Sequence, residues 1–133
     1  MDFSDLYISM CEKAKHLQQT WVMAVGDFYC DKSSIYGTKG GKESQGAVCH
    51  VEEKTLSDMM EGDFNRAKSV WLPRQDQFQE ILNLIEPKIA LDSLTRLINE
   101  DTASSNFLSM EQLWLAIYMK YKHGKYWNNS DWA

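Results

Sequence analysis

Ser69-Val70-Trp71-Leu72-Pro73-Arg74-Gln75-Asp76-Gln77-Phe78-Gln79-Glu80 holds a change of periodicity. Ser69–Leu72 is a short apolar run, and Pro73 ends it, because the residue before a proline is pushed to extended backbone. The run predicts a strand entering a turn. Beyond it Phe78, Ile81, Leu82 and Ile85 recur at helical steps. Pro73 suits a first helical turn, where no N–H is needed, and Pro87 predicts an end near Glu86.

Further helices follow toward the C-terminus. Leu91, Leu94, Leu97 and Ile98 predict a second short helix with an exit loop through Asn106. Ser109 and Gln112 form an S-x-x-Q capping box, Leu108 and Leu113 suit a hydrophobic staple, and Gly124 suits the left-handed position past a helix end. Lys120, Lys122 and His123 complement the negative end of the dipole. Met110, Leu113, Trp114, Ile117 and Tyr121 share a face that Leu115, Tyr118 and Met119 widen, so this helix should be buried over much of its circumference.

Strands precede the switch. Ala47–Val51 reads as one, and Trp21–Cys30 as one bent strand or two joined at Gly26. Asp31–Gly46 holds four of the seven glycines and reads as a long hairpin loop. Thr55–Asp58 resembles a capping box and predicts a turn or two of helix over 56–61, broken at Gly62. At the N-terminus Phe3, Leu6, Tyr7, Met10, Cys11, Ala14 and Leu17 form one stripe of a helix over 4–18, capped by Ser4 or Asp2. The expected fold is α+β. A small antiparallel sheet of about three strands (21–30, 47–51, 69–72) packs with N-terminal and C-terminal amphipathic helices in a single domain spanning 1–133.

With 133 residues, 44% hydrophobic and 25% charged, the chain can bury one core. It contains no apolar run of membrane-spanning length, and the acidic start Met1-Asp2-Phe3-Ser4-Asp5 has no signal-peptide pattern. A cytoplasmic location follows as the expectation. A formal charge of −5 argues against a protein devoted to gripping phosphate backbones. Three cysteines without a secretion signal read as thiols.

Three chemical readings fail on spacing. Gly37-Thr38-Lys39-Gly40-Gly41-Lys42-Glu43 is one residue short of a phosphate loop and has Glu43 where Ser or Thr belongs. Cys30, Cys49 and His50 lack the close ligand pairs of a structural zinc site. Cys49 and His50 adjoin in a strand, so they point to opposite faces and cannot form a dyad. No catalytic residue, metal or cofactor is expected.

The residues after Trp71 form the richest polar cluster. Trp71, Arg74, Gln75 and Gln79, presented from a stiff proline junction and completed by Trp127, are the expected binding residues, since Arg and Trp dominate binding hot spots. The alternative is a plain helix start, with Asp76 favouring the dipole and Arg74 pairing with it locally. The basic, aromatic end at Lys120, Lys122, His123, Lys125, Tyr126, Trp127 and Trp132 suggests single-strand stacking or, alternatively, cover for the core.

Two stretches carry a resemblance: Val70-Trp71-Leu72-Pro73-Arg74-Gln75-Asp76-Gln77-Phe78-Gln79-Glu80, and Ser109–Ala116 with Lys120, Gly124-Lys125 and Trp127. Together with Leu6-Tyr7-Ile8 and Trp21…Gly26-Asp27-Phe28, they resemble small uncharacterised proteins in phages and prophages of Gram-positive bacteria. The resemblance implies a non-enzymatic accessory protein acting by binding. Its partner would be a host protein, inhibited to defeat a defence, or a small signalling nucleotide, sequestered. The alternatives are a nucleic-acid-associated module in phage replication or packaging, and a small enzyme.

Overall fold

The computed structural model describes residues 1–33, 46–62, 64–84, 86–100 and 107–133. The chain divides into two compact units, Phe3–Leu72 and Met1–Asp2 with Pro73–Ala133.

The first unit contains the sheet. β1 (Phe28–Asp31), β2 (Ala47–His50) and β3 (Ser69–Leu72) are antiparallel in the order β2-β1-β3. Tyr29 lies opposite both Cys49 and Trp71, and Cys30 opposite Val48 and Val70. Successive residues alternate faces, so the Cys30 and Cys49 side chains lie on opposite sides of the sheet. All three cysteines are thiols. On the Tyr29 face Trp21 stacks on Trp71 with centroids 6.1 Å apart, and Phe64 meets Tyr29 edge-on at 5.3 Å. Gly46 enters β2 at φ +125°, where an added Cβ would stand 2.5 Å from the Asp31 carbonyl oxygen; only glycine allows this approach.

The expected helix over 4–18 is two helices, α1 (Asp5–Lys13) and α2 (Lys15–Gln19). Ser4 caps α1 by accepting from the Tyr7 N–H at 3.2 Å. Tyr7, Met10, Cys11, Ala14 and Leu17 are buried as the stripe predicts, whereas Phe3 is exposed, and α1 packs on β3. The break is at Ala14, with φ −82° and ψ 67°. In an unbroken helix the Cys11 carbonyl would take the Lys15 N–H. Here it takes the Gln18 side-chain amide at 3.0 Å instead.

Trp21–Val25, expected as strand, is not strand. The buried Asp27 carboxylate accepts from Trp21 Nε1 at 2.9 Å and from the Ala24 N–H at 3.0 Å, and so folds the segment back on itself. Gly26, at φ +98°, completes the turn. α3 (Glu53–Met60) starts three residues before the expected 56 because Thr55 is an N3 residue; its hydroxyl accepts from the Glu52 N–H at 3.3 Å. Gly62 follows at φ +83°. The glycine-rich run 34–45 lies outside the described residues.

In the second unit α4 (Gln75–Ile81) and α5 (Pro87–Glu100) both pack on α6 (Met110–His123). α4 ends before the expected Glu86, since Asn83 turns to φ +55° and the Leu84 N–H bonds the Gln79 carbonyl at 2.7 Å. Pro73 precedes the cap residue Arg74, and Pro87 opens α5 rather than closing α4. Leu94 and Leu97 of α5 are buried, while Leu91 and Ile98 face solvent. Asn99 and Glu100, expected to begin the exit loop, are instead the last residues of α5; the rest of that loop, 101–106, and Ile85 lie outside the described residues.

α6 matches its expected bounds. Ser109 Oγ accepts from the Gln112 N–H at 3.1 Å, and Gly124 closes the helix at φ +63°. Trp114 through Met119 are all buried. The staple does not form: Leu108 is 87% exposed, and its N–H donates to Gln112 Oε1. Asp2 completes the cap, its carboxylate accepting from Ser109 Oγ at 2.6 Å and Gln112 Nε2 at 2.7 Å. Beyond Gly124, Tyr126 and Ala133 exchange two backbone hydrogen bonds, which close Trp127 against Trp132. Six helices and a three-stranded antiparallel sheet among the described residues make the fold α+β, as expected. No helix among these residues is long and apolar enough to cross a membrane.

Candidate functional site

The five residues expected from sequence are placed as follows. Trp71 belongs to β3 of the first unit and is 5% exposed, so it is not the partly exposed aromatic the hot-spot argument needed. Trp127 is 3% exposed, its ring 5.1 Å from Trp132. Arg74, Gln75 and Gln79 stand half-buried at the start of and along α4. Arg74 reaches Asp76 with two bonds, Nε to Oδ1 at 3.0 Å and Nη2 to Oδ2 at 3.3 Å, and its N–H donates to Gln77 Oε1 at 2.9 Å. That is the local pairing of a well-capped helix start. Of the basic C-terminal group, Trp127 and Trp132 are buried and Lys120 is paired with Glu100. Among the aromatics there, Tyr121 and Tyr126 remain exposed.

A different group of side chains converges in the first unit. Lys15 and Gln18 of α2, Lys32 just past β1, and Arg66 and Lys68 of the 3₁₀ turn that enters β3 line a groove of about 450 Å³. Among the described residues Glu12 of α1 is its one carboxylate. A smaller adjoining hollow of about 210 Å³ brings in Gln19 and Trp21. The larger volume falls in the range of small-ligand sites, about 300–1,000 Å³.

Local structure fixes each wall. Asn65 caps the 3₁₀ turn, its side chain accepting from the Lys68 N–H at 3.3 Å while its carbonyl takes the Ser69 hydroxyl at 2.9 Å. The Lys32 N–H bonds the Lys68 carbonyl at 2.8 Å, which sets these two lysines side by side at the end of the β1–β3 ladder. The Arg66 guanidinium lies 5.5 Å from the centre of the Trp21 ring and donates through Nη2 to the Trp21 carbonyl. Gln18, held to Cys11, also grips the outer edge of β3, donating to the Trp71 carbonyl at 3.0 Å and accepting from the Trp71 N–H at 2.7 Å. The break at Ala14 makes this reach possible.

Charge is unevenly shared across the chain. Lys32 pairs with Glu12 at 3.1 Å. Among the described residues Lys15, Arg66 and Lys68 have no acidic partner. Three cations without a carboxylate partner among the described residues thus line one groove on a chain whose formal charge is −5. Such a site concentrates anions.

Comparison with known proteins finds no matching family model, curated protein or solved structure.

The nearby ionisable groups do not suit nucleophilic chemistry. Burial pushes the Cys30 thiol up, with partial relief from Lys32, which disfavours the reactive thiolate. Burial, followed by the neighbouring Cys49, pushes the Tyr29 hydroxyl up to about 12. No group of His, Cys, Asp and Glu among the described residues could hold a metal ion. What the groove can do is bind an anion. Sequence reading missed it because Lys15, Lys32, Arg66 and Lys68 are spread over more than fifty positions, each in a polar surface context. The single local signal was Arg66-Ala67-Lys68 immediately before a strand.

Proposed function

We propose that this protein works by binding rather than by catalysis, and that its ligand is a small phosphate-bearing molecule of nucleotide size. The observation that carries the reading is the groove itself, where Lys15, Arg66 and Lys68 converge, without carboxylate partners among the described residues, on an acidic chain. Its volume suits a small molecule better than a polymer, which would need a basic field along an extended path. Within the phage accessory role that the sequence resemblance implies, sequestration of a signalling nucleotide is the form this groove supports.

The test is isothermal titration with adenosine and guanosine mono- and diphosphates, in parallel with retention on DNA across a salt series. The reading expects saturable nucleotide binding that weakens in a folded Lys15→Ala, Lys68→Ala variant. Absence of nucleotide binding at millimolar concentration, or retention on DNA alone with a steep salt slope, would overturn it.

A further inference from the structure

We infer that the groove selects for a doubly or triply charged phosphate terminus, a phosphomonoester or a diphosphate, and that Arg66 is its bidentate receptor. This deepens the proposed nucleotide reading and rests on it.

The first argument is charge matching. Lys32 is already neutralised by Glu12 at 3.1 Å, and their side chains are 26% and 37% exposed. The remaining cations are Lys15, Arg66 and Lys68. A phosphodiester carries one negative charge and would leave most of that field unanswered. A phosphomonoester carries about −1.5 to −2 at neutral pH, and a terminal diphosphate carries more.

The second argument is geometry at Arg66. A guanidinium has five N–H donors in a planar fork that matches two phosphate oxygens, and a bidentate grip needs that fork held still. Trp21 holds it, with the ring under the guanidinium at 5.5 Å and its carbonyl taking one Nη2 hydrogen. Trp21 is itself fixed by its indole bond to the buried Asp27 and by its stacking on Trp71. Nη1 and Nε keep three further hydrogens for a ligand. Little side-chain freedom remains to be lost on binding, so the arginine is preorganised. The two lysines add point charges that follow the phosphate without fixing its orientation.

Glu12 sharpens the selection. It stands in the last turn of α1, where the helix dipole already disfavours negative charge, and it is the groove carboxylate that an incoming anion must displace from Lys32 or tolerate nearby. A singly charged ligand exchanges one monoanion for another at Lys32 and gains nothing there.

The experiment compares three probes on the full chain by titration calorimetry: inorganic pyrophosphate, adenosine 5′-monophosphate, and 3′,5′-cyclic adenosine monophosphate. The expected result is binding of the first two about tenfold or more tighter than the cyclic diester, given the difference in charge. Arg66→Lys keeps the charge and loses the fork. It should weaken the monoester about tenfold while leaving the melting temperature close to wild type. Because Arg66 also covers Trp21, a second variant, Lys68→Gln, provides a check independent of that packing, with a several-fold loss expected. Binding of pyrophosphate but not the monophosphate would keep the phosphate terminus and assign the site to diphosphates. Equal affinity for cyclic and linear nucleotides would overturn this inference and leave the anion groove standing. Failure of all three probes to bind would overturn both.

Discussion

Gln18 joins two parts of the first unit and should be its most informative single substitution. Its amide makes three hydrogen bonds, to the Cys11 carbonyl at 3.0 Å, the Trp71 carbonyl at 3.0 Å and the Trp71 N–H at 2.7 Å. Trp71 is the middle of an edge strand, and its outward N–H and C=O would otherwise lie open. Each bond is worth about 0.5–1.5 kcal/mol net, and a group left without a partner costs more when buried. Gln18 is half-buried, so water can reach part of the vacated edge, and about 2–3 kcal/mol is the expected cost of Gln18→Ala. Gln18→Met keeps the length and apolar stem but none of the bonds, and should come within about 1 kcal/mol of the alanine variant. The assay is urea denaturation combined with amide exchange at the Trp71 N–H, which reads the edge directly. If Gln18→Met loses less than about 0.5 kcal/mol and leaves the Trp71 amide as protected as in wild type, the clamp does not hold the edge and the argument fails.

Three further outcomes are expected. Trp114 is fully buried and its Nε1 finds no hydrogen-bond partner among the described residues, so Trp114→Ala should cost about 3–5 kcal/mol by thermal unfolding and Trp114→Phe less than half as much. The Tyr29 hydroxyl, pushed up to about 12 by burial and Cys49, stays protonated after the unfolded chain has ionised. The stability that Tyr29 contributes should therefore be intact below pH 10 and be lost as pH rises from 10 toward 12, and Tyr29→Phe should flatten that part of the decline in urea titrations. Thiol titration of the denatured, unreduced protein should find three thiols per chain; a count of one would mean that two of the cysteines are joined and would contradict the structure.

Local physics made most of the fold legible. The Ser109 cap and Gly124 bracket α6 because a capping hydroxyl sits three residues before the N–H it accepts and a left-handed stop needs glycine, so both signals are contained in the sequence itself; Gln112 does not close the box, since its Oε1 takes the Leu108 N–H. Pro87 was harder. A proline marks a boundary but does not say on which side of it the helix lies: Pro73 leads from β3 into α4 as expected, whereas Pro87 opens α5 rather than closing α4. Trp21–Val25 misled for another reason. Its apolar character is strand-like, yet Asp27 wins the competition by bonding the Trp21 indole and the Ala24 N–H, a side-chain choice that periodicity does not register.

The functional surface was the least legible part, and the residues show why. A Trp beside Arg and Gln looks like a hot spot only if the Trp is exposed. Trp71 is the central residue of a buried strand whose other face is covered, so its size serves the core. Arg74 has a carboxylate two residues away, and a local partner outcompetes a distant ligand without loop-closure cost. Arg66 has no acidic partner among the described residues. It is held by Trp21, forty-five residues earlier in the chain, through a ring and a carbonyl that only the fold brings near. A cation that is positioned but not neutralised is better placed to bind than one that is merely prominent in the sequence. By that criterion the binding residue we propose is Arg66 rather than Arg74, and the paired substitutions Arg66→Lys and Arg74→Lys test it with charge held constant. Nucleotide affinity should fall in the first and stay at the wild-type value in the second. The reverse order would return the site to α4.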